Sequence, residues 1–89
     1  MIQEKAFIKH LKDNGYSQNT IAKYRHDLRL LKKFLGKREL SKENLVSFKD
    51  DLLKQYQAAS INSIIACINS YLNYKGLYNL HLKHIKVQR

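Results

Sequence analysis

Proline is absent, cysteine occurs once and glycine three times in the 89 residues, and only 7 acidic residues stand against 17 lysines and arginines. Each shortage excludes something. The single Cys67 has no intramolecular disulfide partner and cannot found the usual thiolate zinc site, so the fold must rest on its apolar core. No apolar run approaches the ~18 residues of a membrane span. The opening Met1-Ile2-Gln3-Glu4-Lys5 also lacks the basic-then-apolar layout of a signal peptide, so the expectation is a cytoplasmic chain without a membrane partner. The length allows one domain and excludes a two-domain enzyme with a cleft between its halves.

Hydrophobic residues make up 44% of the chain and charged residues 27%, an ordinary globular balance rather than that of a disordered basic tail. The formal charge of +10 therefore sits on a folded surface, and its expected partner is a polyanion, nucleic acid ahead of an anionic membrane or an acidic protein.

With no proline, the glycines at 15, 36 and 76 are the punctuation, and they cut the chain into pieces of helical length. Phe7, Ile8 and Leu11 predict a first helix over about 3–14. Ser17 is a good N-cap, and Ile21, Tyr24, Leu28, Leu31 and Leu35 repeat at spacings of three and four to predict a second over 18–35. Ser41 caps a third over 42–56, with Leu45, Phe48, Leu52 and Tyr56 on one stripe and Glu43 in the first turn, where the helix dipole favours an acid. Ser60 is expected to cap a fourth over 61–75, in which Ile61, Ile64, Ile65, Ile68 and Leu72 fit a period of 3.6 and not 2. Residues 1–76 thus read as a small all-α bundle. Residues 77–89, where Leu80, Leu82, Ile85 and Val87 alternate weakly, read as a turn or extended segment leaving it.

The charge is unevenly spread. Residues 1–40 hold ten bases and four acids, a net +6; residues 41–58 hold three of each; residues 59–89 hold four bases and no acid. A polyanion is therefore expected to meet the second and fourth helices and the C-terminal segment. At about 100° per residue, Arg25, Arg29, Lys32 and Lys33 form a basic strip beside the core stripe of the second helix, although a solvated face explains them equally well. From Ile61 to Tyr74 the fourth helix has no charged residue. Its polar face gathers Asn62, Asn69, Asn73 and Ala66 with Ser63 and Ser70 next to them. Asparagine offers a donor and an acceptor together to an adenine edge, and small side chains let a helix sit deep in the major groove. The alternatives are packing on another domain or plain exposure. Ser17, Asn19, Thr20 and Ser60 place hydroxyls and free N–H groups at helix starts, where phosphate binds, and capping alone also accounts for them.

Other chemistry finds little support. His81-x-x-His84 lacks a third ligand, and Cys67 lacks a base to activate it. Tyr24, Tyr56 and Tyr71 fall on or beside core stripes, while Tyr16, Tyr74 and Tyr78 are left to cap the bundle or stack on a ligand. Paired catalytic carboxylates and a phosphate-cradling glycine loop are missing. No enzymatic activity, metal or cofactor is expected of the chain.

The run Gly15-Tyr16-Ser17-Gln18-Asn19-Thr20-Ile21-Ala22-Lys23-Tyr24-Arg25-His26-Asp27-Leu28 resembles the G-x-S-x-N-T-x-x-x-Y-x-x-D-L segment of the N-terminal core-binding domain of tyrosine recombinases, the phage integrase family. Leu40-Ser41-Lys42-Glu43-Asn44-Leu45, then Ala59-Ser60-Ile61-Asn62 and Tyr71-Leu72, are similar to that domain's third and fourth helices. The resemblance implies a SAM-like orthogonal bundle of four helices that clamps double-stranded DNA at a recombination core site with a separate C-terminal catalytic domain of the same parent protein. The chain is expected to be a monomer alone, with an oligomer on DNA left open. By position, Ser17, Asn19 and Thr20 match residues near the backbone, Lys23 and Arg25 lie on the groove-facing second helix, and Ser60, Asn62, Ser63, Ala66 and Asn69 match the reading face of the fourth.

The chain departs from the family pattern in having Ser and Asn where Arg or Lys is usual on the fourth helix, and no proline after it. The catalytic Arg, His-x-x-Arg and nucleophilic Tyr are absent, so none of its tyrosines is read as catalytic, and the chain reads as a domain ending near the interdomain linker. Two alternatives stand beside this reading. One is a helical protein-interaction module; the other is a stand-alone helix-turn-helix-like regulator, which would bind DNA as a dimer.

Overall fold

A computed structural model describes residues 2–86; Val87 and Arg89 of the expected C-terminal segment lie outside the described residues. Four helices follow in order: α1 Glu4–Asp13, α2 Gln18–Leu35, α3 Lys42–Leu53 and α4 Ala58–Tyr74, with a short 3-10 turn at Tyr78–Leu80. No strand occurs among the described residues, so the domain is all-α. No helix is long and apolar enough to cross a membrane.

Local chemistry sets most boundaries. The Ser17 hydroxyl accepts from the Thr20 N–H at 3.2 Å, and Ser41 does the same for Asn44 at 3.2 Å, each satisfying one of the free donors of a helix start. All three glycines have positive φ, from 57° to 79°, so each helix stop uses a conformation that a side chain would strain.

Two boundaries differ from expectation. α3 ends at Leu53, because the Gln55 and Tyr56 N–H groups both turn back to the Leu52 carbonyl and close the helix. Tyr56 consequently leaves the core stripe and is 39% exposed. α4 begins at Ala58, one turn early, since Ala58 and Ala59 are strong helix formers. Ser60 therefore lies inside the first turn, and the cap position belongs to Gln57, whose side chain makes no capping bond.

The apolar stripes of all four helices meet in one core around Phe7, Leu28, Leu31, Leu45, Phe48 and Ile65. α2 packs against α1, α3 and α4. Tyr71 is fully buried and its hydroxyl accepts from the Gln3 N–H at 2.9 Å, which ties the chain's beginning to α4.

The largest departure concerns residues 77–86. They do not leave the bundle at Gly76. Leu82 is 4% exposed and belongs to the core, with Leu77, Leu80 and Ile85 packed against it. Residues 81–86 run extended along α4.

Candidate nucleic-acid interface

The C-terminal segment is held by the two asparagines expected to read DNA. The Asn69 carboxamide donates to the Leu82 carbonyl at 3.0 Å and accepts from the Leu82 N–H at 2.9 Å. Asn62 makes the same pair of bonds with Ile85, at 2.9 and 2.7 Å. The spacing explains the match: seven residues of helix rise about 10.5 Å and three residues of extended chain span about 10 Å. The segment runs antiparallel to α4. From the other side, the Lys42 ammonium donates to the His81 carbonyl and Lys49 to the Lys83 carbonyl, the latter at 2.6 Å. In this arrangement the donor-acceptor edges of Asn62 and Asn69 face the chain's own backbone, not an open groove. Sequence reasoning missed this because a base edge and a peptide unit ask for the same paired donor and acceptor.

The exposed face of α4 lies beside those asparagines. Ala59, Ala66 and Asn73 are exposed, and Ser63 and Ser70 half-buried, so this face is small, neutral and open. At its N-terminal half a cleft of about 440 Å³ opens between α4 and α2, bringing Ser60 and Ser63 together with Lys23, His26 and Tyr56. Asp27 sits in this cleft and is 2% exposed. Its carboxylate takes the Lys23 ammonium at 2.5 Å, with His26 Nδ1 at 3.4 Å. Lys23 is thus already paired. Asp27 gave no signal in the sequence beyond its place in the Tyr24-x-x-Asp27-Leu28 motif.

The basic strip of α2 is divided. Arg25 and Arg29 lie on the flank toward α1, where a cleft of about 370 Å³ also holds Glu4, Lys5, Lys9 and Lys12, and Arg29 Nε donates to Glu4 at 2.9 Å. Lys32 borders a hollow with Ile2 and Arg38, and Lys33 one with Asp51 and Gln55. At the start of α2, the Ser17 hydroxyl donates to Thr20 Oγ1 at 3.0 Å, so these two serve the cap, while Asn19 is exposed. The candidate residues therefore fall on two flanks of α2 and on α4 rather than on one strip.

Burial and backbone describe the surroundings of Cys67, His81 and His84. Cys67 is fully buried, its Sγ lies 3.5 Å from the Tyr24 carbonyl, and burial, reinforced by the charge of Asp27, pushes its thiol up to about 12. It stays protonated and unreactive at neutral pH. His81 and His84 lie on extended chain, so the helical spacing a shared ligand pair needs is not formed. Among the described residues no group of three His, Cys, Asp or Glu is placed to hold a metal.

The family model for the phage integrase N-terminal SAM-like domain matches residues 5–77, and the chain belongs to that family. The matched domain is the N-terminal one, not the catalytic one. Searches of curated proteins and of solved structures return no match.

Proposed function

We propose that this phage integrase N-terminal domain binds double-stranded DNA in the cytoplasm, holding a recombination core site for a separate catalytic domain, and is a monomer when free. The observation that carries the reading is the junction of two unlike surfaces. Around the α2/α4 cleft, Lys23 and His26 of α2 stand beside the uncharged Ala59, Ser60 and Ser63 of α4. Charge positions a duplex through its phosphates, and a neutral small face can approach the bases without a desolvated ion.

Binding by one such domain is expected at about 10⁻⁴–10⁻⁶ M, strongly dependent on salt. The test places carboxylates on the open face. The Ser63→Glu, Ala66→Glu pair is expected to weaken binding of a 20-base-pair duplex at least tenfold with the fold intact by circular dichroism. Unchanged affinity would remove α4 from the interface.

A protein-interaction role has its own support in α3, whose charges nearly cancel and where Val46 is 41% and Leu53 51% exposed. That reading predicts indifference to DNA at low salt.

A further inference from the structure

The α1/α2 cleft carries an inference that rests on the DNA-binding reading and extends it to a helix the charge pattern left aside. Five of its seven lining residues are basic, and one, Glu4, is acidic. Lys5, Lys9 and Lys12 stand at spacings of four and three on α1, so one face of that helix presents all three across from Arg25 and Arg29 on α2.

The acid does not neutralise the cleft. Glu4 is mostly buried, with 17% of its side chain exposed, and bonds only Nε of Arg29, which orients the guanidinium while its outer N–H groups stay available to an anion. Lys9 pairs with Asp13 in full solvent, 77% and 60% exposed, a contact an incoming phosphate displaces at little cost. Among the described residues Lys5, Lys12 and Arg25 have no ion-pair partner.

We propose that this cleft receives a sugar-phosphate backbone of duplex DNA, on the flank of α2 opposite the α4 cleft. Lys5 to Lys12 covers about 10 Å of helix axis, the length of about three phosphates on one strand. A helix about 10–12 Å across fills a major groove about 12 Å wide. With α2 in that groove, one strand's backbone falls on its α1 flank, where the basic cleft lies. Ile8 is the only apolar side chain lining the α1/α2 cleft, which suits an anionic ribbon better than a peptide that must bury side chains.

The test compares three proteins on one 20-base-pair duplex by fluorescence anisotropy over a range of salt: the native chain, the Lys5→Gln, Lys9→Gln, Lys12→Gln variant, and a charge-matched control with Lys37→Gln, Lys54→Gln and Lys75→Gln. All six lysines are exposed, so folding, checked by thermal melting, is expected to survive. The first variant is expected to bind at least tenfold more weakly and to lose about two to three units of the log–log salt slope. The control is expected to keep most of its affinity and slope. Equal behaviour of the two variants overturns the proposal, and if the Ser63→Glu, Ala66→Glu pair still weakens binding, the DNA reading survives without it. Absence of DNA binding by the native chain at low salt overturns both. Loss of polyglutamate binding in the α1 variant with DNA binding unchanged would assign the cleft to an acidic protein and overturn it as well.

Discussion

At the scale of single residues, Asn62 and Asn69 each bond both polar groups of one residue in the C-terminal segment. Removing a carboxamide strands a part-buried N–H and C=O, which costs about 1–3 kcal/mol. Asn69→Ala is therefore expected to lower the unfolding free energy measured in urea by an amount in that range and to leave the sequence preference of any DNA binding unchanged; a lost preference at constant stability would return the asparagine to the groove. Lys23→Met leaves the Asp27 carboxylate, 2% exposed, without its ammonium partner, and a loss of about 1–3 kcal/mol is expected in the same assay. Such a variant reports on the core before it reports on DNA. Burial also raises the thiol of Cys67, to about 12, and the phenols of Tyr24 and Tyr71 above their ordinary value. All three ionise more easily in the unfolded chain, which then binds fewer protons. Their contribution is complete below pH 9, the ordinary thiol value, and fades as the pH rises toward 12. The melting temperature is expected to fall across that interval, less steeply in Cys67→Ala; a flat profile through pH 11 would show these groups to be solvated.

At the scale of elements, the helices are legible because their signals are local. Ser17 and Ser41 cap, Gly15, Gly36 and Gly76 stop, and the apolar stripes repeat within one turn of each other. What depends on residues distant in sequence is not legible. Leu82 reads as part of a departing tail until α3 and α4 supply the lysines and asparagines that hold its neighbours. The lysines of α1 are visible as charge, but only packing against α2 puts them opposite Arg25 and Arg29. Candidate residues at positions 23, 25, 29, 62 and 69 are correctly placed on helices, yet a helical wheel does not say which flank another helix covers. The C-terminal segment therefore belongs to the folding unit: Leu82→Ala is expected to cost about 2–5 kcal/mol by calorimetry. A cost under 0.5 kcal/mol would mean that the segment lies on the surface without supporting it.

At the scale of the whole molecule, the formal +10 gathers on residues 1–40 and the C-terminal segment, against an α3 whose charges nearly cancel and an uncharged open face on α4. That distribution suits a domain that positions DNA by its phosphates and leaves strand chemistry to another domain. The most direct measurement is the affinity of the native chain for a 20-base-pair duplex at 50 and 200 mM salt. About four phosphate contacts predict a loss of affinity on the order of a hundredfold between the two. No binding at 50 mM, or an affinity indifferent to salt, would contradict the account.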